Sequence, residues 1–169
     1  KRMKSSSQLS HLKQLSTAFT CRRCYNRTIK SLKGDDKMAI KVGINGFGRI
    51  GRLVFRLLEE NDNFEVVAIN GRQDADVHAH LLKYDSAHGR FNGEVAVEGT
   101  DLIKVNGRDV HVFKGNSPAE IPWKEADVQY VIEGTGVFNS RDKAKGHFEQ
   151  GVEKVFITAP ADDMPMIIY

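Results

Sequence analysis

One stretch constrains this chain more than any other. Ile40-Lys41-Val42-Gly43-Ile44-Asn45 runs directly into Gly46-Phe47-Gly48-Arg49-Ile50-Gly51, a G-x-G-x-x-G. The β-branched run reads as a buried strand. Behind the glycines, Leu53, Val54, Leu57 and Leu58 are expected to share one helical face. Strand, glycine turn and helix together give the motif its meaning. Gly46 permits the tight turn, Gly48 lets the backbone approach a pyrophosphate, and Gly51 lets the helix close on the strand. The phosphates are expected on the free N–H groups around Arg49 and Ile50, at the helix N-terminus.

With 169 residues there is room for one ordinary domain and a tail. No apolar run approaches the roughly 20 residues of a membrane helix, so a bilayer span is not expected. Charge separates the tail from the rest. Residues 1–37 carry ten Lys and Arg against Asp35 and Asp36, whereas residues 38–169 are net acidic. The basic leader is rich in serine, and Leu9, Leu12, Leu15 and Phe19 could line one side of a short helix. Two readings stay open: an organellar transit peptide, or upstream sequence translated from a misplaced start. The first places the protein in a mitochondrion or plastid, the second in the cytoplasm. The leader is expected to be disordered. Met38 is the natural start of the folded part, and a chain opening on Lys1 is expected to be incomplete at its front. Cys21-Arg22-Arg23-Cys24 has the spacing of half a zinc site or of a redox pair. Zinc needs four ligands and a second pair is absent, so the two read as incidental thiols and no metal site is expected.

From Met38 onward, strands alternate with helices. Phe64–Asn70 reads as the second strand, ending in Gly71-Arg72 where a dinucleotide fold carries an acid for the adenosine ribose. Asp74–Tyr84 is helical in pattern, with Val77, Leu81 and Leu82 as its apolar positions. Glu94–Val97, Asp101–Val105 and Arg108–Phe113 follow as strands, the last two joined by Asn106-Gly107, a hairpin turn. Pro118 and Pro122 mark a loop over Trp123. Val128–Glu133 is a strand ending in Gly134-Thr135-Gly136, Arg141–Gln150 a helix and Lys154–Thr158 a strand. The expected fold class is α/β: a doubly wound, mostly parallel sheet with an inserted antiparallel meander. The glycine segments after three strands should meet at the carboxyl edge, where such sheets bind ligands. His78, His80, His88, His111 and His147 read as surface or packing residues, and Asp162 and Asp163 as a loop pair.

Four ordered blocks carry a family resemblance: Lys41–Arg52; Leu82-Lys83-Tyr84-Asp85-Ser86-Ala87-His88-Gly89-Arg90-Phe91; Glu133-Gly134-Thr135-Gly136-Val137-Phe138; and Lys154-Val155-Phe156-Ile157-Thr158-Ala159-Pro160. Together they resemble the cofactor-binding half of the phosphorylating glyceraldehyde-3-phosphate dehydrogenases. Erythrose-4-phosphate dehydrogenases share the blocks. The resemblance implies a Rossmann domain over residues 38–169 that binds NAD or NADP through Asn45, Gly46, Phe47, Gly48, Arg49, Ile50, Gly71, Arg72, Asn116, Gly134, Thr135 and Gly136. Gly71 stands at the family's ribose-binding Asp position, Asn116 near the adenine, and Gly134 where Ser is common. Loss of the acid beside Arg72 leads us to expect tolerance of NADP. The family's catalytic Cys and His and its substrate domain lie beyond the match to Tyr169, and residues 38–169 contain no cysteine. This chain alone is therefore expected to bind the dinucleotide without turning over glyceraldehyde 3-phosphate. A non-catalytic dinucleotide-binding or interaction module is the alternative. A homotetramer is implied only for full-length members.

Overall fold

The computed structural model describes residues 38–161 and 163–167. The expectations for the leader, including Cys21 and Cys24, and for Asp162 lie outside the described residues.

The chain alternates as the glycine-bounded strands suggest. β1 (Ile40–Asn45) leads into α1 (Arg49–Glu59), β2 (Phe64–Asn70) and α2 (Ala75–Lys83). A ribbon of β3 (Tyr84–Asp85) and β4 (Gly89–Arg90) follows, then β5 (Val95–Glu98), β6 (Leu102–Val105) and β7 (Arg108–Phe113). Two short turns of 3-10 helix, Pro118–Glu120 and Trp123–Ala126, bring the chain to β8 (Tyr130–Glu133). It ends in α3 (Arg141–Ala144), α4 (Gly146–Glu149) and β9 (Lys154–Ile157).

Seven strands form one sheet in the order β5-β6-β7-β2-β1-β8-β9. β7, β2, β1, β8 and β9 run parallel, which requires the crossovers that the helices and long loops supply. The meander is antiparallel within itself and joins the sheet through β7 beside β2. It therefore extends one edge of a doubly wound sheet. Strand order reverses at β1, with β2 on one side and β8 on the other; ligands of such sheets bind at this switch point.

Both faces of the sheet are covered, as parallel strands require. One cluster joins Ile44, Val66 and Ile69 to Phe55 of α1 and to Ala79 and Leu82 of α2. The other packs Ala68 and Val131 against Trp123, Ile121 and Val152. Phe55 sets the rotation of α1. It is 1% exposed and meets the rings of Phe47 and Phe91 edge-on, at centroid distances of 5.7 and 6.5 Å. Burying such a side chain contributes about 1.5–3 kcal/mol. The leucine-valine face expected for α1 is thereby corrected: Gly51 and Phe55 are the buried residues, and Leu57 is 58% exposed. On α2 the inward residues are Ala75, His78, Ala79 and Leu82, while Val77 faces outward. The expected helix over 141–150 is two separate turns, α3 and α4, flanking Lys145. Among the described residues no helix is long and apolar enough to cross a membrane.

Candidate functional site

The carboxyl ends of β1, β2, β7 and β8 surround a cavity of about 670 Å³. Its floor is built from polar residues that end otherwise apolar strands. The Asn45 amide donates to Glu133 Oε2 at 2.5 Å and accepts from Asn70 Nδ2 at 2.8 Å. Asn70 Oδ1 in turn accepts the Gly115 N–H at 2.8 Å, pinning the loop after β7. Glu133 Oε1 accepts the Thr135 N–H at 2.9 Å and the Thr135 hydroxyl. On its far side Oε2 meets His147 Nε2 at 3.1 Å, and the Trp123 indole N–H donates to His147 Nδ1 at 2.9 Å. An indole N–H only donates, so Nδ1 accepts and the ring proton sits on Nε2, aimed at the carboxylate. The network crosses the sheet from Trp123 to the loop at Gly115 and fixes the four strand ends relative to one another.

Above this floor the glycine turn makes two close approaches. Gly46 has φ +90° and donates its N–H to the Asn70 carbonyl at 2.9 Å. A Cβ at Gly51 would lie 2.2 Å from the Gly46 carbonyl oxygen, so α1 sits against the turn as only glycine allows. Gly48 caps α1 with no side-chain hydrogen bond, and the first turn of the helix holds no acid. The N–H groups of Arg49 and Ile50 there, and the positive end of the helix, favour an anion. A Cβ at Gly48 would meet no protein atom within 4 Å, and Gly48 lines the cavity. Arg52, Arg72 and Lys114 line it too, and among the described residues no Asp or Glu does. Lys114 is paired with Asp74, whose carboxyl this contact holds below the usual range.

Of the residues singled out from the sequence, Asn45, Gly46, Phe47, Gly48, Gly71, Arg72, Asn116, Gly134 and Thr135 line this one cavity. Arg49, Ile50 and Gly136 are not part of the wall; Arg49 and Ile50 open α1 directly after Gly48, which is. The Phe47 side chain also belongs to the core, packed on Phe55 and His78. Gly71 does not leave the open space that its missing side chain suggests. The His78 imidazole fills it, with Nε2 2.4 Å from where a Cβ would stand. Among the participants not singled out as site residues are Asn70, Arg52, Lys114, Glu133 and His78. Asn70 and Glu133 carry a sequence signal, since each is a polar residue closing an apolar strand run. His78 and Lys114 carry none.

A doubly wound sheet whose strand order reverses beside a cation-lined, glycine-bounded cavity defines an α/β dinucleotide-binding domain of the Rossmann type. A family model described as "Glyceraldehyde 3-phosphate dehydrogenase, NAD binding domain" matches residues 40–141. The chain is 52% identical over 130 residues to a glyceraldehyde-3-phosphate dehydrogenase of Colletotrichum lindemuthianum, covering 76% of this chain and 38% of that protein. With the Priestia megaterium enzyme of that name it shares 51% over 131 residues, 78% of this chain and 39% of the relative. Glyceraldehyde-3-phosphate dehydrogenase 2 of Bacillus subtilis is 49% identical over 131 residues, 78% of this chain and 38% of its own length. The chain belongs to the glyceraldehyde-3-phosphate dehydrogenase family of oxidoreductases, through its NAD(P)-binding domain. It spans about two fifths of the length of the curated relatives it matches.

Proposed function

We propose that the cavity holds a nicotinamide dinucleotide with its pyrophosphate on the N-terminus of α1. The observation that carries this is the pairing at the glycine turn. Gly51 is closed against Gly46 within the protein, whereas Gly48 lines the cavity with no protein atom within 4 Å of where its Cβ would stand, leaving its surface for a ligand. The residues present fit the group: free N–H groups, three cations in the wall and no wall carboxylate all suit a polyanion. In this reading Gly71 and Arg72 lie beside the adenosine ribose, Asn116 beside the adenine, and Gly134, Thr135 and Gly136 toward the nicotinamide. When bound, the nicotinamide supplies a hydride acceptor. This chain's residues bind and orient it; the Glu133 network keeps the strand ends that hold it in register.

The protein to which this domain contributes is proposed to oxidise glyceraldehyde 3-phosphate, with inorganic phosphate, to an acyl phosphate. Residues 38–169 have no cysteine to serve as a thiolate nucleophile. They are proposed to supply cofactor binding and no chemistry by themselves. Calorimetric titration of the 169-residue chain with NAD and with NADP tests the site. Saturable one-to-one binding of either is expected, and heat no greater than dilution with both would refute the proposal.

A further inference from the structure

The cavity wall at Gly71 is an imidazole with nothing to bond. His78 is 3% exposed, and neither ring nitrogen has a hydrogen-bond partner among the described residues. Native interiors rarely leave such a group unpaired without a use. Its placement is specific. Nε2 and Cε1 lie 2.4 and 2.6 Å from the point where a side chain at 71 would begin. The ring therefore occupies the volume from which an acid at the end of β2 would reach a ligand. Phe47 meets it edge-on at 5.4 Å, which holds the ring plane.

The cations that act on it are Arg52 on α1 and Lys114 after β7, and Arg72 after β2 lines the same cavity. On its own helix, Asp74 is engaged by Lys114, and exposed Asp76 accepts the Val77 N–H. The ring thus sits between the cations Arg52 and Lys114 and the carboxylates Asp74 and Asp76, and among the described residues that line the cavity none is a carboxylate.

We propose that His78 is a specificity-determining residue, whose imidazole together with Arg72 receives a phosphate on the 2′ position of the adenosine ribose. The inference rests on the dinucleotide reading of the cavity and deepens it. A lone-pair nitrogen of the ring takes one proton from solvent as the phosphate arrives, and the imidazolium then donates to a phosphate oxygen. No other bond forms or breaks. Burial first, then the Arg52 and Lys114 charges, hold the free imidazole below its usual range, so it is neutral at neutral pH. A dianion beside it favours the protonated form. The bound-state pKa therefore lies above the free one, and affinity rises as pH falls between the two. The 2′-phosphate itself stays largely dianionic above about pH 6. NAD, which has a hydroxyl there, takes up no such proton.

The test titrates the full 169-residue chain with NADP and NAD between about pH 8.5 and about pH 6.5. NADP should bind about tenfold tighter at the lower pH, and NAD within about twofold across the range. His78→Leu should lower NADP affinity about tenfold at the acid end and flatten its profile, sparing NAD. His78→Gln, which keeps hydrogen bonding but cannot carry the proton, should recover part of the affinity without the slope. A flat NADP profile for the wild-type chain would overturn the inference without recourse to any variant. A steep profile retained in His78→Leu would also overturn it. Binding of NAD with exclusion of NADP removes this inference alone, whereas binding of neither removes the dinucleotide site as well.

Discussion

Gly51 and Gly48 stand three residues apart in one motif, yet the structure gives them opposite roles, and alanine separates the two. At Gly51 an added Cβ meets the Gly46 carbonyl oxygen at 2.2 Å and Ile44 Cγ2 at 3.2 Å. Ordinary contact needs roughly 1 Å more, so α1 must back away from the turn, and neither neighbour can yield. Ile44 is fully buried, and the Gly46 peptide is tied through its N–H to Asn70. Overpacking of this kind costs about 1–3 kcal/mol. Alanine's better helix propensity returns at most about 1 kcal/mol. Gly51→Ala should therefore lower unfolding free energy by about 1–2 kcal/mol. Dinucleotide affinity should fall with it, because the N–H groups move off their mark. At Gly48 the backbone, φ −79° and ψ −158°, suits any residue, and the new methyl meets no protein atom within 4 Å. Gly48→Ala should cost under about 1 kcal/mol, the difference between glycine and alanine as a helix cap. Its dinucleotide affinity should fall at least about tenfold, since the methyl enters the cavity. Urea unfolding followed by circular dichroism gives the first quantity for both variants, and calorimetric titration the second. A Gly51→Ala chain as stable as wild type would refute the close approach of helix and turn. Gly48→Ala binding within twofold of wild type would refute the pyrophosphate placement.

Glu133→Gln should destabilise the chain by about 1–3 kcal/mol in urea unfolding, because one amide cannot accept at both ends from Thr135, Asn45 and His147. His147→Leu should cost at least as much, by stranding the buried Trp123 N–H and the Glu133 carboxylate together. Gly71→Asp should destabilise by about 1–3 kcal/mol through collision with the His78 ring. Adding His78→Ala to it should relieve that cost, a non-additivity that a double-mutant cycle in urea measures directly. The purified 169-residue chain, supplied with glyceraldehyde 3-phosphate, phosphate and either dinucleotide, should produce no reduced cofactor above a buffer blank.

Much of the fold was legible because its signals are local. Runs such as Phe64–Asn70 and Arg108–Phe113 state a strand by themselves, and the glycines state where each run turns. Apart from the helix over 141–150, which is two short turns, the failures concern which way an element faces. On α1, four aliphatic residues suggested an inward stripe, but Gly51 already contained the better clue. A glycine needed for contact with β1 fixes the inward line as 51, 55 and 58 by helical spacing, and Phe55 lies on it. Leu57 is turned out by the same rotation.

The rotation of α2 decides the site itself. Gly71 read from sequence is an absence, an acid removed and room made. What fills that room is set by the helix that follows, packed with Ala75, Ala79 and Leu82 inward, which turns His78, seven residues further on, against Gly71. Glycine and histidine therefore form one unit. A Cβ at 71 and an imidazole at 78 cannot share the space, so the residue at either position restricts the other. The polar floor obeys a similar logic across larger distances. Trp123, His147, Glu133, Asn45 and Asn70 come from five separate stretches, and each alone reads as a packing residue or a strand end. Only the parallel register of β2, β1 and β8 sets Asn70, Asn45 and Glu133 side by side. Burying Glu133 demands partners for every lone pair, and this arrangement supplies four donors. The order of the strands thus determines whether a carboxylate can lie beneath a cavity whose charged lining residues, among those described, are cations. The Glu133 carboxylate is enclosed by the hydrogen-bond network of the floor, and the cationic side chains Arg52, Arg72 and Lys114 stand in the wall.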